Sequence, residues 1–189
     1  MPLTPIPRLW KAEKVSHSYV ADYKPFSFVD GEGVRCSLYV SGCLFKCEGC
    51  FNEAAWSFRL GQPYTDALGD LIVADLAHES VQGLSILGGE PFLNTQVCLE
   101  VVGRVRAEYG RSKDIWCWSG YTFDELMVDS DDKRALLAEV DVLCEGRFEE
   151  NQKDLTLPFR GSRNQRVLDA QRSLAAGEAV WWESARVRT

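Results

Sequence analysis

Histidine is scarce in this sequence, because only His17 and His78 occur among its 189 residues. The sequence also shows no Ser-His-Asp set and no pair of carboxylates poised for acid–base catalysis, which argues against the hydrolases that depend on such groups. The pattern Gly-x-Gly-x-x-Gly, typical of dinucleotide-binding domains, is missing as well.

Clustered positive charge and long apolar runs are also lacking. The net charge is −7, which argues against binding to nucleic acid, since a phosphate backbone attracts clustered Lys and Arg. No stretch approaches the roughly 20 apolar residues that span a bilayer. The N-terminal stretch MPLTPIPRLWKAEK has no apolar core of the kind found in signal peptides. We therefore expect a cytoplasmic protein whose partners include neither nucleic acid nor a membrane.

Cysteine is the residue type that stands out. Three of the seven cysteines, Cys43, Cys47 and Cys50, fall in the stretch SGCLFKCEGCFN with the spacing Cys-x3-Cys-x2-Cys. In a reducing compartment such a group indicates metal binding or redox chemistry rather than disulfides.

Three interpretations of this cysteine group remain open from the residues alone. In the first, the cysteines are packing residues, although their neighbours are polar and glycine-rich rather than apolar. In the second, they bind structural zinc, although zinc favours a closed site of four protein ligands and no second pair of ligands is evident. In the third, they hold a [4Fe–4S] cluster whose fourth iron stays open to a small molecule, which explains why the group stops at three ligands.

Alternating strand-like and helix-like segments predict an α/β fold, a parallel sheet with covering helices. Strands are predicted at 35–41, 84–87, 114–119 and 140–145, with a possible last strand at 179–182. Helices are predicted at 65–80, 95–110, 123–128 and 131–139. We expect Thr95 to cap the second helix and Gly110 to end it, and Thr122 with Glu125 to form a capping box. Residues 1–25 are expected to form a loose leader and residues 26–189 a single domain.

The cysteine spacing at the end of a strand resembles the signature of the radical S-adenosylmethionine (SAM) superfamily. Further segments occur in the order typical of one family, the activating proteins of anaerobic (class III) ribonucleoside-triphosphate reductase. These segments are DGEGVRCSLYVSGCLFKCEGCFN (30–52), LGGEP (87–91), KDIWCWSGY (113–121), VDVLCEGRF (140–148) and FRGSRNQR (159–166). The resemblance covers about three quarters of the chain.

This resemblance implies a small partial (β/α) barrel and an oxidoreductase activity. Cys43, Cys47 and Cys50 would hold a [4Fe–4S] cluster whose open iron chelates SAM. Reductive cleavage of SAM would give methionine and a 5′-deoxyadenosyl radical, which would abstract hydrogen from a glycine of the reductase. A flavodoxin-type protein would donate the electron.

The resemblance also implies which residues contact SAM. Gly88, Gly89 and Glu90 would lie along the methionine part, although two glycines after a strand also make a simple turn. Gly49, Cys50 and Phe51 would lie near the adenine, with a core position as the alternative for Phe51. The roles of the Asp30–Arg35 loop and of the motif around Arg160 stay open.

Two other functions are compatible with the sequence. One is activation of a different glycyl-radical enzyme, such as pyruvate formate-lyase, or a short radical SAM enzyme acting on a small molecule. The other is a non-catalytic iron–sulfur or zinc protein, which would bind its metal with protein ligands alone and would not need the Gly-Gly-Glu stretch.

Overall fold

The computed structural model describes residues 7–185. Their strands form one mixed sheet. Its strands are β1 (Tyr19–Ser27), β2 (Val34–Val40), β3 (Gln62–Pro63), β4 (Val81–Gly88), β5 (Asp114–Ser119), β6 (Val142–Glu145) and β7 (Arg166–Asp169). Their hydrogen-bonded order is β3-β1-β2-β4-β5-β6-β7. The predicted α/β class is therefore confirmed.

The prediction of a parallel sheet is correct only for the four central strands. β2, β4, β5 and β6 pair in parallel, whereas β1, β3 and β7 pair antiparallel with their neighbours. For β1 and β2 the reason lies in the connection, since a parallel pair needs a long crossover and a short connection returns the chain antiparallel. Residues 28–33 make the tight turn from β1 to β2, with Gly31 and Gly33 at positive φ.

The α-helices of the described residues are α1 (Ala12–Val15), α2 (Asp66–Leu76), α3 (Thr95–Tyr109), α4 (Phe123–Met127), α5 (Asp131–Glu139) and α6 (Ala170–Ala176). Helices α2 to α5 lie in the crossovers between the parallel strands, whereas α1 precedes β1 and α6 follows β7. The Thr122–Glu125 capping box and the end of α3 at Gly110 are confirmed. The predicted cap at Thr95 is wrong, because Asn94 occupies the N-cap position and the Thr95 hydroxyl donates to Asp132 Oδ2 at 2.6 Å.

The two ends of the chain differ most from the predictions. Residues 19–25 were expected to be loose, but they form most of β1, where Val20 is buried and Pro25 sits at an irregularity of the strand pairing. The expected last strand at 179–182 is reduced to one bridge between Trp181 and Leu168, and β7 takes its place. Residues 1–6 of the expected leader, and residues 186–189, lie outside the described part of the chain.

Apolar side chains cover both faces of the sheet. The larger cluster lies between the sheet and the helices and includes Leu38, Ile86 and Cys117. A smaller cluster on the opposite face holds Trp116, Val142, Cys144, Val167 and Ala185. Trp118 packs against this second cluster, as expected for alternate residues of one strand. Among residues 7–185, no helix combines the length and apolar character needed to cross a bilayer.

Arg35 is a fully buried cation next to Trp116 of the smaller apolar cluster. Its Nε donates to Ser85 Oγ at 2.7 Å, and one Nη atom donates to the Leu84 carbonyl at 2.9 Å and pairs with Asp114. The guanidinium also lies 5.3 Å from the Trp116 ring. The Asp30–Arg35 loop therefore contributes a structural ion pair that joins β2, β4 and β5.

We expect Arg35→Met to lower the free energy of unfolding by about 3–5 kcal/mol, because it leaves the partners of a buried charge unpaired. Urea unfolding followed by circular dichroism under anaerobic conditions measures this loss. Arg104→Met is the matched control, since Arg104 pairs with the exposed carboxylates of Asp66 and Asp70 and its loss costs about 1 kcal/mol or less. Equal losses in the two variants would contradict the structural role of Arg35.

Candidate functional site

A cavity of about 800 Å³ opens at the carboxyl ends of the parallel strands. Cys43, Gly88, Ser119 and Gly146 line it, each from the end of a different parallel strand or from the loop that follows. Open α/β sheets place their ligands at this edge, because the loops after the strands converge there. The cavity is therefore the candidate functional site.

The predicted cluster ligands Cys43, Cys47 and Cys50 all line this cavity and are partly exposed. Their loop is folded back on itself, since Gly42 N–H donates to the Ala55 carbonyl at 2.7 Å and Cys50 N–H donates to the Cys47 carbonyl at 3.1 Å. The other four cysteines, Cys36, Cys98, Cys117 and Cys144, are buried. The structure thus separates one accessible group of three thiols from the buried cysteines.

Three thiols beside one cavity are the ligand type that an iron–sulfur cluster requires. Within the described residues, no three Cys, His, Asp or Glu side chains converge on a point where one metal ion could be held. A cubane cluster does not need such convergence, because each thiolate binds a different iron atom. The Asn52 N–H also donates to Cys50 Sγ at 3.4 Å, a contact of the kind that tunes cluster sulfurs.

Burial favours the protonated form of two of these thiols, those of Cys43 and Cys47. It raises the pKa of Cys43 to about 12, with the nearby Glu90 carboxylate adding to the effect, and it also raises the pKa of Cys47. Iron binds the thiolate, so loading a cluster here releases protons.

The Gly88-Gly89-Glu90 stretch joins the end of β4 to the start of the cysteine loop through backbone hydrogen bonds. Gly89 N–H donates to the Val40 carbonyl at 2.7 Å, and Glu90 N–H donates to the Gly42 carbonyl at 2.8 Å. A Cβ on Gly89 would lie 2.5 Å from the Gly42 carbonyl oxygen, closer than real Cβ contacts allow. All three residues of the stretch line the cavity. The two glycines are therefore required by a close approach of two backbones beside the cysteines.

Glu90 is a buried carboxylate whose oxygens accept hydrogen bonds from the protein itself. It accepts hydrogen bonds from Phe92 N–H at 3.0 Å, Ser119 Oγ at 2.8 Å and Gly120 N–H at 2.8 Å. Burial raises its pKa to about 7, and these three donors act against that rise. Glu90 therefore joins the carboxyl ends of β4 and β5 and positions the Ser119–Gly120 backbone in the cavity wall.

Phe51 and Gly49 have different surroundings in the structure. Phe51 lines the cavity with 67% of its surface exposed and meets the Phe148 ring at 5.4 Å, so the alternative of a core aromatic is wrong. Gly49 is not part of the cavity wall. Its φ is +73°, and a Cβ there would lie 2.2 Å from a carboxylate oxygen of Glu150. Gly49 thus allows the loop to turn against the 148–150 segment.

The sequence did not identify several residues of the cavity wall. Asp30 lines it, with a carboxylate that accepts from Ser27 Oγ and Tyr39 Oη, both at 2.6 Å. Ser119 and Arg160 line it as well. A signal for Ser119 was present, because it ends a predicted parallel strand. Arg160 comes from the long connection between β6 and β7 and Asp30 from the turn between β1 and β2, and the sequence pattern predicts the course of neither.

A single accessible cysteine group at the carboxyl edge of an α/β sheet defines a class of small iron–sulfur domains, and comparison with known families agrees. The model of the family described as "4Fe-4S single cluster domain" matches residues 29–168. Curated relatives narrow the class further. The chain belongs to the family of anaerobic ribonucleoside-triphosphate reductase-activating proteins.

Three relatives of that name illustrate the similarity. The protein of Vibrio cholerae serotype O1 is 44% identical over 147 residues, which cover 76% of this chain and 92% of the relative. The protein of Escherichia coli K12 is 42% identical over 149 residues, which cover 77% of this chain and 94% of the relative. The protein of Enterobacteria phage T4 is 38% identical over 145 residues, which cover 76% of this chain and 88% of the relative.

Proposed function

We propose that this chain is a radical SAM enzyme that generates a glycyl radical on anaerobic ribonucleoside-triphosphate reductase. The observation that carries the proposal is the meeting of two motifs at one cavity. Cys43, Cys47 and Cys50 approach it from the loop after β2, and Gly88–Glu90 approach it from the end of β4. The names of the relatives favour the reductase over another glycyl-radical enzyme as the partner.

The three cysteines would hold a [4Fe–4S] cluster, which supplies the electron that breaks a carbon–sulfur bond of the SAM sulfonium. The balance is one electron and one SAM giving methionine and a carbon radical, which takes one hydrogen atom from a glycine of the reductase. A flavodoxin-type protein of the cytoplasm would supply the electron. The reductase keeps the unpaired electron, and 5′-deoxyadenosine leaves.

The residues of the chain contribute binding, orientation and exclusion of water. Gly88 and Gly89 let the end of β4 pack directly against the backbone of residues 39–42, which holds the cysteine loop beside the wall of the cavity. Glu90 fixes the Ser119–Gly120 backbone opposite that end. Phe51 offers an exposed ring face for an adenine.

The four parallel strands fit a partial (β/α) barrel of the radical SAM type. The antiparallel strands on either side of them, β1 with β3 on one side and β7 on the other, leave such a barrel unclosed. An unclosed barrel suits a substrate that is itself a large protein, since a segment of that protein must reach the cavity.

The test is an anaerobic assay of the purified chain reconstituted with iron and sulfide. After reduction we expect SAM to yield methionine and 5′-deoxyadenosine in equal amounts, measured by liquid chromatography. With the reductase present, electron paramagnetic resonance should show a glycyl radical on the reductase. A chain that takes up iron and sulfide but leaves SAM intact would instead be a non-catalytic iron–sulfur protein. A chain that takes up only zinc would overturn the assignment of the cluster.

A further inference from the structure

Arg160 is a cation in the cavity wall whose guanidinium makes no hydrogen bond or ion pair with the described residues. Its Nε and one Nη atom are buried, and neither has a partner there. The guanidinium lies 5.0 Å from the Trp181 ring, which supports it from one side. A buried donor without a partner is costly, and the cost is larger for a charged group. Arg160 is thus an anion-binding group held in place by the protein.

The other charged residues of the cavity wall are accounted for within the protein. Glu90 accepts three hydrogen bonds and Asp30 accepts two, as described above. Lys24 is exposed, lies 4.0 Å from Asp22 and faces the Tyr39 ring. Arg160 is therefore the charged residue of the cavity wall that is left to pair with a bound molecule.

SAM is a poor match for this cation. Under the proposed function, the single carboxylate of SAM binds the open iron beside the cysteines. The positive sulfonium of SAM is repelled by a guanidinium in the same cavity. The anion must then come from the second molecule that has to enter, the segment of the reductase that gives up hydrogen.

The rim of the cavity supports a polypeptide as this second occupant. Val29 and Leu155 line the cavity near its mouth, yet they are 80% and 68% exposed, and Phe51 is exposed beside them. Phe28 adds a further exposed ring next to Val29. Grouped exposed apolar side chains of this kind mark binding surfaces, and a polypeptide would cover them.

We propose that Arg160 binds a carboxylate of the reductase segment that enters the cavity, a role that rests on the proposed function and extends it to recognition of the partner. Since Nε and one Nη atom are buried, the other Nη atom is the one left to donate a charge-assisted hydrogen bond to that carboxylate. The carboxylate thereby sets the register of the segment, and the register decides which glycine faces the SAM site.

The test compares the reconstituted chain with its Arg160→Gln and Arg160→Lys variants by anaerobic biolayer interferometry against the whole reductase. Removing one partner of a buried, hydrogen-bonded charge pair should weaken reductase binding by about 30-fold or more in Arg160→Gln. Arg160→Lys keeps the charge but not the planar guanidinium that lies against the Trp181 ring, so its affinity should fall between those of the parent and Arg160→Gln. The affinity of Arg160→Gln should also depend less steeply on salt concentration than that of the parent.

Arg163→Gln is the matched control, since Arg163 lies in the same segment and is exposed in a pair with Asp154. Its reductase affinity should change by a factor of about five or less. Equilibrium dialysis gives the SAM affinity of each variant, and we expect Arg160→Gln to bind SAM as the parent does.

Two results would overturn the role of Arg160. A loss of SAM affinity in Arg160→Gln, with reductase affinity kept, would assign the guanidinium to the carboxylate of SAM. Unchanged affinity for both would remove it from recognition altogether. Either result leaves the proposed activity of the parent intact. Conversely, a parent that fails to cleave SAM would refute the proposed function while the reductase affinities remain measurable.

Discussion

Replacing Cys43, Cys47 or Cys50 by alanine should lower 5′-deoxyadenosine formation by more than about 100-fold. Loss of a residue that only supports a metal ligand typically costs about 10–100-fold in activity, and loss of a ligand itself should cost more. Each cysteine lines the same cavity and each would bind a different iron, so no remaining thiol can replace a lost one. We expect the variants to retain less iron and sulfide and to lose the broad visible absorption of the cluster. Iron and sulfide analysis and product chromatography measure both effects.

Cys36→Ala is the control for these variants. Cys36 lies in β2, the strand that leads into the cysteine loop, and its thiol is buried 3.3 Å from the Pro25 carbonyl oxygen. Its loss should cost about 1 kcal/mol of stability through a small void, with cluster content and SAM cleavage kept. A Cys47→Ala variant with the cluster and activity of the parent would contradict the three-ligand assignment.

The central part of this molecule could be predicted because its signals are local in sequence. The spacing of Cys43, Cys47 and Cys50 lies within eight residues, and the Thr122–Glu125 capping box lies within four. The parallel strands follow from short apolar runs between amphipathic helices, a pattern that needs no knowledge of distant contacts. Such features form wherever the segment is placed, so the sequence alone predicts them.

The outer part could not be predicted because it depends on contacts between distant residues. β1 contains charged residues and Pro25, and it forms a strand because β2 offers a free edge for pairing. β7 has only four residues, and its burial against β6 decides its structure. Arg160 reaches the cavity through the long connection between these two strands. Trp181, 21 residues further along the chain, supports its guanidinium.

Glu90 has a structural role beside the one that the resemblance implies. A carboxylate at this place can accept hydrogen bonds from the ammonium of SAM or from neighbouring amides. In the structure both carboxylate oxygens accept from the protein, from Phe92 N–H, Ser119 Oγ and Gly120 N–H. A buried carboxylate needs such donors, and two of these three come from the neighbouring strand end. The motif therefore shapes the cavity wall as well as lining it.

Gly89→Ala should lower SAM cleavage by about 100-fold, the effect that a displacement of roughly 1 Å can have on a reaction that depends on positioning. A Cβ on this residue would lie 2.5 Å from the Gly42 carbonyl oxygen and 2.8 Å from its nitrogen. Both atoms belong to the backbone, so no side-chain rotation relieves the clash. Gly42 directly precedes Cys43, and the loop that carries the cysteines must move away from the end of β4. Cluster content by iron analysis and initial rates of 5′-deoxyadenosine formation measure the effect.

Gly103→Ala separates this close approach from the general effect of adding a methyl group. Gly103 lies within α3, where a Cβ would meet no atom within 4 Å. The substitution should stabilise the protein by about 0.5–1 kcal/mol, because glycine weakens a helix, and the rate should not change. If Gly89→Ala kept the parent's rate and cluster content, the cysteine loop would tolerate a shift relative to β4. The Gly-Gly pair would then act as a simple turn, the alternative that the sequence leaves open. If only the rate fell, with iron and sulfide retained, the close approach would serve the SAM site rather than cluster assembly.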